Sequence, residues 1–121
     1  MALPENTPLN ERVVYAYMAD VSTASSAFTV APCRGRIIEM GSVLYVAITG
    51  ADAAITSKIA GTAITGGSWT ITQSGSAAGD VDTAVPTAAH LVNDGDNIEF
   101  ISDGASSTTA PAMFYAVIRI E

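Results

Sequence analysis

The sequence predicts an all-β fold: an antiparallel β-sandwich, jelly-roll-like, with a short extended N-terminal arm. Three observations predict it. Apolar and polar residues alternate at a period of two, most clearly over 53–60 and 68–73, and strand side chains point to opposite faces in turn. Clusters of Gly, Asp, Asn and Ser punctuate these runs at short, regular intervals, as in sandwiches and barrels. Finally, a helical period is sustained nowhere, and the one segment that competes for helix, Pro86 to Val92, is halted by Asn93-Asp94-Gly95.

Residues 1–11 read as the arm, because Pro4 and Pro8 bracket polar residues and favour extended backbone beside them. The sandwich domain then occupies 12–121. Strands are expected near 12–18, 27–31, 35–49, 53–60, 62–65, 68–73, 96–102 and 112–120. The third is either two strands or one long strand bent at Gly41. In the fourth, Ile55, Ser57 and Ile59 share one face and Thr56 and Lys58 the other. After Gly66-Gly67, Trp69 and Ile71 alternate with Ser68, Thr70 and Thr72. The last strand carries Phe114, Ala116, Ile118 and Ile120 on one face, and Met113, Tyr115, Val117 and Arg119 on the other. Both faces are largely apolar, which places it centrally in a sheet or at an oligomer interface. A single helical turn is expected over 86–92.

Ala, Thr, Ser and Gly supply 55 of the 121 residues. Small residues bury little apolar area each, and at about 25 cal/mol per Å² such a core stabilises weakly per residue. Self-association or attachment to a larger surface is the expected compensation. Twelve acidic against five basic residues give a net charge of −7, the reverse of a nucleic-acid binder with its clustered Lys and Arg. Only Arg34-Gly35-Arg36 is locally basic. Cys33 is the sole cysteine, so no intramolecular disulfide forms, and it reads as a small buried hydrophobe. The first residues lack the basic and apolar regions of a signal peptide, and no apolar run approaches the ~20 residues of a membrane helix. Synthesis in a cytoplasm is the corresponding expectation, with no membrane partner.

Chemistry-bearing constellations are sparse. His90 is the only histidine and no Gly-x-Ser-x-Gly elbow occurs, so a hydrolytic triad has no evident framework. One Cys and one His cannot supply an ordinary zinc site. Asp80 and Asp82 lie on one side of a loop or strand edge, and Asp94 and Asp96 flank Gly95; such carboxylates could offer oxygen ligands, but they lack EF-hand spacing and read as turn residues. Glycoside hydrolysis by paired carboxylates needs an aromatic-lined cleft that a chain with one Trp can scarcely build. Trp69, Tyr15, Tyr17, Tyr45 and Tyr115 could stack on a sugar, yet each sits in an alternating strand and reads first as a core or interface anchor. No catalytic residue, cofactor or metal site is expected.

Asp20-Val-Ser-Thr-Ala, the Arg36-Ile-Ile strand, Ile55-Thr-Ser-Lys-Ile-Ala-Gly-Thr-Ala-Ile and Gly75-Ser-Ala-Ala-Gly-Asp-Val-Asp82 together resemble the small capsid decoration (cement) proteins of tailed bacteriophages, from about residue 12 to residue 118. The resemblance implies a jelly-roll-like oligomer on the outside of a capsid, bridging neighbouring major capsid proteins, with no catalytic or cofactor residue to carry over. The arm and Cys33 have no counterpart in it.

The expectation is therefore a non-enzymatic virion structural protein, made in the host cytoplasm and placed on the capsid exterior. Its partners would be the major capsid protein and itself, as homodimer or homotrimer, without nucleic acid. Interface contacts are expected from Leu3, Pro4, Pro8 and Leu9 of the arm, from the Arg34–Arg36 edge, and from Tyr115. The rivals are a carbohydrate-binding or adhesion module, favoured by aromatics on an exposed flat face, and a tail or fibre component. A small hydrolase would need a cleft holding His90 with two carboxylates.

Overall fold

Alternation sorts the chain into two antiparallel sheets with one apolar layer between them. The computed structural model describes residues 10–121. The arm contacts expected of Leu3, Pro4, Pro8 and Leu9 lie outside the described residues. Among the described residues ten strands follow one another: β1 Glu11–Met18, β2 Ser25–Val30, β3 Gly35–Leu44, β4 Ala53–Ile59, β5 Thr62–Ala63, β6 Trp69–Ile71, β7 Val81–Ala84, β8 Leu91–Val92, β9 Asn97–Ser102 and β10 Ala112–Ile120. Sheet A has the order β1-β10-β3-β7, with β8 also paired to β3; sheet B has the order β2-β9-β4-β5, with β6 also paired to β4. The first strand thus lies beside the last, β9 lies between β2 and β4, and β3 lies between β10 and the short strands β7 and β8. This nested wrapping is the jelly-roll path.

Inward residues of both sheets build the core. Phe114 from sheet A stacks on Phe100 from sheet B with ring centroids 5.2 Å apart, and Trp69 tilts against both at 6.1 and 6.4 Å. Ile37, Met40, Leu44, Ile55, Ile98 and Ile118 close around them, all buried. Ser57 and Ser102, also buried, donate to the Gly67 and Val21 carbonyls at 2.5 and 2.6 Å. A hydroxyl inside an apolar layer is tolerated because it is bonded. Cys33 packs half-buried against this core.

Several expectations are corrected. β1 begins at Glu11, so that residue belongs to the sheet and not to the arm. β3 ends at Leu44, and its irregularity lies at Ile38, where the register with β10 shifts between Val117 and Ile118, not at Gly41. No helical turn forms over 86–92. Thr65 bridges to Ala88, Ala89 takes a left-handed φ of 52°, and Leu91–Val92 pair with Gly35–Arg36. A residue in the left-handed region breaks a helix, and the flank of β3 supplies bonds that an isolated turn would lack. β7 was not expected, because its inward residues are Asp82 and Ala84, which give no apolar alternation.

Candidate functional site

Registers within sheet A place the odd-numbered residues of β1 and β10 on the face turned away from the core. Three rows cross it. Val13 lies opposite Val117, which lies opposite Glu39. Tyr15 lies opposite Tyr115, which faces Gly41 and then Thr83. Tyr17 lies opposite Met113, which faces Val43 and then Val81. Tyr45, just beyond β3, leans on Tyr17 with ring centroids 6.3 Å apart. Tyr15, Tyr17 and Tyr45 are 62%, 56% and 48% exposed. This is an open, largely apolar face, and among the described residues nothing covers it.

Within the three rows the carboxylate of Glu39 is held in place. Tyr115 Oη donates to Glu39 Oε2 at 2.5 Å, and burial together with that carboxylate pushes the phenol up to about 12. The Tyr115 ring lies across Gly41, where an added Cβ would fall 2.8 Å from the ring and 2.6 Å from the Asp82 carbonyl. Gly41 therefore lets the aromatic lie flat on the sheet. One end of the face is closed by a charged row, in which Arg119 Nη2 meets Glu11 Oε2 at 2.7 Å and Arg36 Nε meets Glu121 Oε2 at 3.2 Å. An apolar centre with a charged margin is the usual anatomy of a protein interface.

The residues expected at an interface divide. Tyr115 lies on this face, half-buried on the central strand β10. Arg36 belongs to the charged row; its strand β3 is paired on both sides, so the Arg34–Arg36 segment is not a free sheet edge. Arg34 sits just before β3, exposed. Trp69 is only 8% exposed and belongs to the core, whereas the four tyrosines gather on the outer face. Val13, Val43 and Val81 complete that face. Their signal was the second apolar stripe of β10, whose neighbours the sequence alone does not name.

The loop carboxylates work as local caps. Asp80 Oδ2 accepts from Ala77 N at 2.9 Å, and Asp96 Oδ2 from Asn93 N at 2.8 Å. Asp82 is partly buried, and burial with the nearby Asp80 charge raises its carboxyl above the usual range. An open groove of about 470 Å³ lies between the β4–β5 turn and β8, lined by Ile59, Ala60, Leu91, Arg36, His90 and Asp96 among others. His90 Nδ1 is buried without a hydrogen-bond partner. The groove brings one carboxylate near His90, not two. Among the described residues no cluster of His, Cys, Asp and Glu could hold a metal ion, and no helix is long and apolar enough to cross a membrane.

No protein-family model matches the chain, and no curated protein matches its sequence. Solved structures do share its fold. A chain of the acid-stable capsid structure of Helicobacter pylori bacteriophage KHP30 superposes with a TM-score of 0.63 at 4% identity, covering 91% of this chain and 87% of that one. A chain of the cyanophage Pam1 capsid asymmetric unit superposes with a TM-score of 0.52 at 15% identity, covering 100% and 93%. The catalytic unit of a GH87 α-1,3-glucanase from Streptomyces thermodiastaticus reaches a TM-score of 0.55 at 13% identity, over 93% of this chain but only 26% of the enzyme. At such identities the likeness is one of fold.

Proposed function

We propose that this chain is a non-enzymatic structural protein of a phage virion, which docks on the outside of the assembled capsid and bridges neighbouring major capsid proteins. The observation that carries the reading is the open aromatic face of sheet A, a contiguous apolar surface on a sandwich that has a complete core without it. Contiguous exposed apolar surface of this kind marks an interaction site. The two phage capsid chains support it, since each matches over nearly the whole of both chains. Binding only the assembled shell would stabilise that shell by mass action, and repetition over a symmetric lattice would multiply weak single contacts.

The test is sedimentation of the purified chain with empty capsids built from the major capsid protein of the same genome. Saturable co-pelleting at a fixed ratio to the capsid subunits supports the proposal; a chain that stays in the supernatant overturns it.

One observation favours a second reading, a glycan-binding or adhesion module. Tyr15, Tyr17, Tyr45 and Tyr115 lie on one exposed face, an arrangement on which sugar rings can stack. Calorimetry with host-surface oligosaccharides separates the two, because saturable glycan binding without capsid binding selects the second.

A further inference from the structure

We propose that two copies of this chain pair through the free edge of β1, antiparallel about a two-fold axis normal to sheet A, so that both aromatic faces point the same way. The edge comes first. Among the described residues β1 ends the order of sheet A and has β10 on one side only. Ile120 N donates to Asn10 O, and the register continues that pairing two residues at a time through Arg12–Ile118, Val14–Ala116 and Ala16–Phe114. In an antiparallel ladder bonded and non-bonded pairs alternate. The N–H and C=O groups of Val13, Tyr15 and Tyr17 therefore point away from β10, toward the open side.

Beyond Glu11 and Arg12, the side chains of β1 carry none of the usual protections of an edge. Val13 to Met18 is a run of six residues, four of them Val or Tyr with high β-propensity, with no charge, Pro or Gly, whereas proteins ordinarily guard an exposed edge with Lys, Pro or a bulge. The run complements itself. With Tyr15 opposite Tyr15 of the second copy, Val13 falls opposite its Tyr17 on both sides of the axis, and about six further ladder bonds close. Aromatic and β-branched residues are favourable cross-strand partners. The antiparallel sense also keeps the two Asp20 turns at opposite ends of the joint.

Area argues for the same occupant. Four strands about 4.8 Å apart and some seven residues long give each outer face roughly 400 Å², about half of the ~800 Å² per partner in a standard stable interface. Two faces joined across β1 reach that size on one side of the dimer. A face-to-face pair would bury the same surface and leave nothing to dock. The existence of the dimer stands on the edge alone; its use in bridging capsid subunits rests on the virion reading.

Light scattering coupled to size exclusion measures the wild-type mass at micromolar concentration. Placed on a Cys33→Ser background, Tyr15→Cys tests the register, because bonded antiparallel pairs hold Cα atoms at about 5.5 Å, within disulfide reach. A dimer that Tyr15→Cys cross-links and Val43→Cys does not is the expected result. Tyr15→Pro, which removes the edge-facing N–H and no backbone bond to β10, and Tyr15→Lys, which sets like charges together on the axis, should both yield monomer that keeps the β-type circular dichroism spectrum. A wild-type monomer overturns the inference, as does cross-linking through Val43→Cys or loss of the dimer on deleting residues 1–9. A wild-type dimer that ignores capsids removes the virion reading and leaves the edge pairing; a wild-type monomer that binds capsids does the reverse.

Discussion

The indole Nε1 of Trp69 in sheet B donates to Ser42 Oγ in sheet A at 2.9 Å, both groups buried, and so ties the two sheets together through the core. Ser42→Ala leaves that N–H buried and unbonded, and an unsatisfied buried donor costs roughly 1–3 kcal/mol. Denaturant unfolding should show this as a lower midpoint with an unchanged slope. Trp69→Ala loses the bond and the ring together, at about 3–5 kcal/mol.

Gly41→Ala should destabilise more than an ordinary strand Gly-to-Ala change. Its Cβ would stand 2.6 Å from the Asp82 carbonyl and 2.8 Å from the Tyr115 ring. Overpacking of this kind costs about 1–3 kcal/mol. Tyr115→Ala removes the ring but not the carbonyl, so the double variant should recover only part of the loss, as thermal melts of the three proteins would reveal.

Tyr115 should titrate late for a phenol. Burial first, then its bond to Glu39 and the charge of Glu39, push it from the usual 10.0 up to about 12. A phenol whose folded pKa is raised binds its proton more tightly in the fold, so this stabilisation is whole below pH 10 and is lost as pH rises toward 12. Tyrosinate absorbance should contain a late-titrating group, and Glu39→Gln should bring it earlier.

Asp20 behaves in the opposite sense. Its bonds from the Ser22 hydroxyl and amide, and from Ala110 N, hold the carboxyl below 3.8. A lowered folded pKa stabilises above the unfolded value and loses that effect as pH falls through the folded one. Asp20→Ala should therefore melt lower than wild type at neutral pH, and the gap should narrow below about pH 4.

How much of this was legible follows from where the causes lie. β4 and β10 were readable because large residues alternate along them with nothing to contradict the period. β7 and β8 were not, because their pairing comes from β3, distant in sequence, and Val81-Asp-Thr-Ala84 carries no inward apolar stripe. Expectations of turn chemistry at Asp80 and Asp96 match their bonds to backbone amides. The aromatic face was half visible. Residues 113–119 announce an apolar second stripe, but that Tyr15 lies across from Tyr115 depends on a register between the two ends of the chain. Local pattern gives a strand its faces; only the fold supplies its neighbours.

Capsid sedimentation with face variants tests the central claim most directly. Tyr17→Glu and Val81→Glu, each on an exposed side chain of the sheet A outer face, should leave the fold intact. Either should weaken co-pelleting with empty capsids by roughly tenfold or more, a loss of about 1.4 kcal/mol. Variants that pellet as wild type does, or a wild-type chain that never pellets, would contradict the account.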